Sequence, residues 1–179
     1  CATESKANYL YQPYDFLLLS ASVPDEWELE VFDGIADEDD TDETLSKLLD
    51  FVPQCVVLAM ANTSWDNDYS FLTRTRKLFP DIKIFVFGDI FFEKSYHQLV
   101  QGLVDRILDD PLYVDFKKWV SGGPVEVEGA GTRLTVSEGL KTPVRTSIGV
   151  PWHDKFLHAR YRWPFARNYR YTTIFTAWG

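Results

Sequence analysis

Cysteine is nearly missing from this chain. Cys1 and Cys55 are the only two in 179 residues, which excludes a disulfide framework and points to a reducing, cytoplasmic setting. Histidine is almost as scarce: His97, His153 and His158 form no metal-ligand spacing with either cysteine, so no metal site is expected. The longest apolar runs, such as Phe16 to Leu19 and Cys55 to Ala61, fall far short of the ~20 residues of a membrane span. The N-terminus carries no basic-then-apolar signal pattern. Neither phosphate fingerprint is present: there is no G-x-x-x-x-G-K-S/T and no G-x-G-x-x-G after a strand, which speaks against an NTPase or a dinucleotide oxidoreductase. No local motif supports a Ser/His/Asp arrangement, so no catalytic residue is assigned. Positive charge is short too. The net charge is −9, and residues 1–50 hold 14 Asp/Glu against 2 Lys/Arg. Such an acidic body lacks the basic footprint of general nucleic-acid binding.

What is there is an alternation of strands and helices. Residues 15–22 (DFLLLSAS) are an apolar run that periodicity alone cannot assign to a strand or a buried helix. In Trp27 to Phe32, the alternation of Trp27, Leu29 and Val31 with Glu28 and Glu30 predicts a strand with one wet face. An acidic stretch, Asp37 to Glu43, leads into a helix that Thr41 or Asp42 can cap. Leu45, Leu48, Leu49 and Val52 give that helix one apolar face, and Pro53 stops it. Strands then follow at 55–60, 82–87 and 104–108, separated by helices over about 66–79 and 93–101. A last helix is expected over 110–120, with Pro111 in its first turn.

Apolar strands alternating with amphipathic helices predict a flavodoxin-like (Rossmann-like) α/β fold, a parallel sheet with helices on both faces. Four strands are visible where that fold has five; a first strand is expected before Cys1, the alternative being residues 15–20, which would leave almost no crossover before Trp27. Residues 1–121 are read as this domain and 122–150 as a linker, with a hairpin signal at Gly129-Ala130-Gly131. In 151–179, nine of 29 residues are aromatic, with arginines interleaved. That segment is read as extended and lying on another surface, with an unpartnered strand at Thr172 to Ala177.

Ligands of open α/β sheets sit beyond the carboxyl ends of the strands. The loops there are Asn62-Thr63-Ser64, Gly88-Asp89 and Asp109-Asp110. Ser64 is equally well read as a helix N-cap or a ligand contact. Gly88 permits either close approach of a ligand or a turn with positive φ. Cys55 reads as an inert core thiol and His97 as a surface residue. The acidic cluster 37–43 fails the calcium-loop spacing and reads as a solvated helix entrance. A receiver-like signalling domain would need an Asp where Met60-Ala61-Asn62 stands.

The order of the pieces resembles the N-terminal half of a cobalamin-dependent radical S-adenosylmethionine enzyme. The resemblance rests on Val23 to Asp33 (VPDEWELEVFD), Leu45 to Leu58, Phe79 to Gly88 (FPDIKIFVFG), Val104 to Asp109 (VDRILD), Val150 to Phe156 (VPWHDKF) and Tyr171 to Gly179 (YTTIFTAWG). It covers nearly the whole chain, though no piece is a strict motif. It implies a cobalamin-binding domain followed in the parent chain by a radical barrel, which would carry a 4Fe–4S cluster, S-adenosylmethionine and the small-molecule substrate. The D-x-H-x-x-G cobalt-ligand motif of other cobalamin domains has no counterpart in Cys1 to Tyr14, so base-off binding without a histidine ligand is implied. Thr3, Glu4 and Ser5 would then line the upper face of the cofactor, and Asn62, Thr63, Ser64, Gly88 and Asp89 would hold its nucleotide tail. The fragment by itself would not be catalytic. The alternative is a flavodoxin-like module that has lost its cofactor and docks a substrate or partner.

Overall fold

The computed structural model describes residues 10–108, 149–157 and 159–162. Three parallel strands, β1 (Cys55–Ala59), β2 (Lys83–Phe87) and β3 (Arg106–Ile107), form one sheet in the order β1-β2-β3. The helices are α1 (Tyr14–Ser20), α2 (Gly34–Asp37), α3 (Thr41–Phe51), α4 (Trp65–Leu78) and α5 (Lys94–Val100). The register pairs Val56 with Ile84, Leu58 with Val86, and Val86 with Ile107, so these side chains share one face. Leu72 of α4 and Val100 of α5 pack with Ile84 and Val86 on that face. Leu45 and Leu48 of α3 pack with Val56. On the opposite face, Phe16 and Leu19 of α1 meet Phe85, Phe87 and Leu108. A sheet covered on both sides needs strands apolar on both sides, which is why β2 reads as an unbroken apolar run. Burying each such side chain contributes about 2 kcal/mol.

Several expectations are corrected or refined. The run 15–22 resolves as helix, with Leu17, Leu18 and Leu19 all buried. A helix apolar all round is stable only when it is covered all round. Here the sheet lies on one side, and Gly149 and Trp152 reach Ala21 and Ser20 at the end of the helix. The strand expected at 27–32 forms no ladder, although its burial alternates: Glu28 and Glu30 are exposed, while Trp27, Leu29 and Val31 are half-buried. Asp40, rather than Thr41 or Asp42, caps α3. Its carboxylate accepts from the N–H groups of Asp42 (2.8 Å) and Glu43 (2.9 Å), and Glu43 returns a bond to Asp40 N–H at 2.8 Å. The apolar face of α3 is narrower than expected: Leu49 and Val52 are exposed, and Val52 leaves the helix with φ 51°. The helix expected at 110–120, the hairpin and the strand at Thr172 to Ala177 lie outside the described residues.

At the amino ends of the strands, one carboxylate joins three elements. Asp105 accepts from Arg76 Nη2 at 2.7 Å, Lys83 Nζ at 3.1 Å and Ile84 N–H at 3.0 Å. Arg76 also donates to the carbonyls of Leu103 (2.8 Å), Pro80 (2.9 Å) and Ile82 (2.8 Å), which ties α4 to the starts of β2 and β3. Burial pushes the Asp105 carboxyl up, but these hydrogen bonds outweigh it and hold the group below its ordinary value. The sign follows: an unfolded carboxyl near 3.9 binds its proton first, so the contribution of Asp105 is complete above that pH and is lost as pH falls through the lower folded value. Urea midpoints are therefore expected to drop below about pH 4. Asp105→Asn should lower stability at neutral pH by about 1–3 kcal/mol and flatten that acid limb.

At the rim of β1, Gln54 accepts from Lys83 N–H at 3.1 Å and Met60 N–H donates to Phe87 O at 2.9 Å. By parallel-ladder alternation, Cys55, Val57 and Ala59 turn their backbone groups away from β2. Among the described residues no strand pairs with that outer edge.

Candidate functional site

The carboxyl ends of β1 and β2 open into two loops that touch. After β1 the chain runs through Met60 and Ala61 into a 3-10 turn, Asn62–Ser64, and directly into α4. After β2 comes Gly88, then a 3-10 turn, Asp89–Phe92, and α5. Asn62 and Thr63 are exposed and Ser64 is half-buried. An open cleft of about 240 Å³ is lined by Asn62, Thr63, Ser64, Trp65, Asp66 and Asn67. Tyr96 of α5 reaches across, with its hydroxyl 3.5 Å from Asn62 Oδ1. Thus Asn62, Thr63 and Ser64 share one cleft, and the Gly88 loop forms its neighbour. Asp89 is exposed beside it. Thr3, Glu4 and Ser5 lie outside the described residues.

Ser64 stands at the N-cap of α4 but makes no capping bond. Its hydroxyl donates instead to Asp68 Oδ2 at 2.6 Å, and the same oxygen accepts from Ala61 N–H at 3.1 Å. One carboxylate in the first turn therefore pins the loop at two points. It also fixes the electrostatics. With Asp66 and Asp68 in the first turn, the positive end of the α4 dipole is already answered by negative charge. A free phosphate would meet two carboxylates there, whereas neutral amides and hydroxyls would not.

Behind the loop stands an aromatic group. Trp65 stacks on Tyr69 with ring centroids 5.2 Å apart and meets Tyr96 edge-on at 4.7 Å. All three are half-buried and pack on the core beneath. Sequence reading missed Asp68, Trp65 and Tyr96. The Trp65–Tyr69 spacing of four marks a helical pair, but nothing local announces that Tyr96 joins it.

The role of Gly88 is set by the backbone. Its φ is 146°, and a Cβ placed there would lie 1.9 Å from Met60 O. The close approach that glycine permits is taken up by the carbonyl of the neighbouring loop. His97 is not a surface residue: it is half-buried, and its Nε2 lies 2.6 Å from Phe91 O. Cys55 is buried enough that its thiol is pushed up to about 12, with a further push from the charge of Asp105. In the acidic cluster, Lys47 pairs with Asp37 (3.5 Å) and Asp39. Among the described residues no group of His, Cys, Asp or Glu is arranged to hold a metal ion. No helix there is long and apolar enough to cross a membrane.

No protein-family model, curated protein or solved structure matches the chain. The fold itself is mixed α/β with a three-stranded parallel sheet and helices on both faces, consistent with a flavodoxin-like arrangement.

Two outcomes follow. Gly88→Ala should destabilise the protein by more than about 2 kcal/mol in urea unfolding, because both the conformation and the space are denied to a Cβ. Cys55 should resist alkylation in the native protein at pH 8 and react once urea unfolds it.

Proposed function

We propose that this chain is a cobalamin-binding domain, one that holds the cofactor for a radical S-adenosylmethionine barrel in its parent protein. The single observation that carries most weight is the cleft above β1, a polar loop set at the carboxyl end of a parallel strand beside half-buried aromatic rings. The winding of the chain supports the same place. α3, α4 and α5 cover one face as the chain runs into β1 and on to β3, whereas α1, which comes before them, covers the other. Because crossovers are right-handed, a change of face means a change of stepping direction. Such reversals are where open α/β sheets form their ligand crevice. On this reading a further parallel strand, preceding α1, pairs with the outer edge of β1.

The side chains fit the polar part of such a cofactor. Asn62, Thr63 and Ser64 offer carboxamide and hydroxyl groups to neutral amide and ribose substituents, and Asp66 with Asp68 disfavours free polyphosphates. Gly88 contributes by fixing the Met60–Asn62 backbone, and Asp68 by pinning the loop. Bound there, cobalamin would supply methyl transfer, or a radical rearrangement or cyclisation, to the parent enzyme.

Protein incubated with hydroxocobalamin and desalted is expected to keep a corrin absorption spectrum. Thr63→Trp, which fills the cleft from an exposed position, should reduce retention several-fold with unfolding unchanged. Colourless protein with an intact fold would overturn the proposal and leave the interaction module, a reading favoured by Phe92, which is 71% exposed at this end of the sheet.

A further inference from the structure

The segment 149–162 is fastened to the N-terminal body by contacts of two kinds. The first kind is close backbone contact and buried rings. Gly149 lies against Ala21, where a Cβ would come within 2.1 Å of the carbonyl oxygen. Trp152 N–H donates to Ser20 Oγ at 2.9 Å, the Gln12 amide donates to Phe156 O at 3.1 Å, and Arg162 N–H donates to Leu10 O at 2.7 Å. Phe156 and Tyr161 are buried. The second kind is polar and wet at its edges. Lys155 pairs with Glu30 at 3.0 Å and Arg160 with Glu38 at 2.8 Å, with each side chain between a third and three-quarters exposed. Arg160 also donates to Ala36 O, and the Tyr161 hydroxyl to Asp33 Oδ2, both at 2.8 Å.

We propose that residues 149–162 are an ionic clasp that holds the chain entering α1 in place and lets it loosen when the charges are screened. Two observations give the clasp its direction. Its far end bonds to Leu10 and Gln12, the residues that lead into α1. The ring of Phe16, near the start of that helix, lies 5.0 Å from the ring of Phe87, the last residue of β2. Leu10 to Pro13 therefore lie toward the carboxyl end of the sheet, the end that carries Asn62, Thr63 and Ser64. Opening the clasp would free one rim of that end. Glu30 and Glu38 on the body face Lys155 and Arg160 of the segment, and these opposed charges supply the attraction, with Asp33 accepting from Tyr161 beside them. Exposed pairs are individually weak and salt-sensitive, so the clasp opens well before the sheet unfolds. The inference does not depend on cobalamin.

Amide exchange in the full chain tests it. The N–H groups of Trp152 and Arg162 should exchange roughly five-fold faster in the double variant Lys155→Ala, Arg160→Ala at low salt. The unchanged protein should approach that rate near about 0.5 M salt, where the double variant no longer responds. Ile84 and Val86 should be unaffected throughout. Glu30→Lys alone should loosen the clasp, and adding Lys155→Glu should restore it. Clasp amides indifferent to salt and to both sets of variants would overturn the proposal, leaving buried Phe156 and Tyr161 as the whole attachment. Loosening of Ile84 and Val86 in step would overturn it as well, since no separable clasp would then exist.

Discussion

The carbonyl of Met60 occupies the space a Cβ would fill at Gly88, and the upper end of the sheet depends on this approach. It lets the ladder between β1 and β2 run one bond past the strands, from Met60 N–H to Phe87 O. The two chains then diverge into loops already in contact. Asn62–Ser64 and Asp89–Phe92 inherit their positions from that contact. Asp68 then fixes the first loop from below and Tyr96 meets it from the side. A larger residue at 88 would push the loops apart and dissolve the cleft before touching any lining side chain.

The opposite end of the sheet is secured by charge. Arg76 and Asp105 bind backbone and side chains from α4, β2 and the approach to β3, and the pair spends nearly all its hydrogen-bonding capacity on structure. The division of labour is physical. Saturated groups at the amino ends leave nothing for a ligand, whereas the carboxyl ends expose short polar side chains on a fixed backbone. Cys55 sits near the saturated end, so its raised thiol belongs to packing and not to chemistry.

Much of the architecture was legible because it rests on period. The runs 55–60 and 82–87 read as buried strands, and 66–79 as a helix, nearly to the residue. The α1 run stayed ambiguous because three successive leucines fit either period; what decides it is the layer lying over it, contributed from more than 130 residues away. The alternation at 27–32 was real, yet alternation reports a wet face and a dry face, not a ladder partner. At the site, Asn62, Thr63 and Ser64 could be named from their place after a strand. Asp68 could not, since a carboxylate in a first helical turn is ordinarily explained by the dipole alone. Gly88 carried two meanings, and only the position of Met60 chose between them. The tail's basic and aromatic character suggested a neighbour, and for residues 149–162 the surface covered belongs to the same chain.

The outer rim of β1 bears on how the molecule behaves in company. Among the described residues nothing pairs with the backbone donors and acceptors of Cys55, Val57 and Ala59, and no charged side chain stands among them, so wherever a strand of the same chain does not cover this edge it is a template for one from a second copy. A net charge of −9 makes copies of the chain repel one another. That repulsion vanishes near the isoelectric point of about 4.8. Colloidal stability and conformational stability therefore weaken for different reasons as acid is added: the first as the surface as a whole is neutralised, the second as carboxylates bonded within the fold, Asp105 among them, take up their protons.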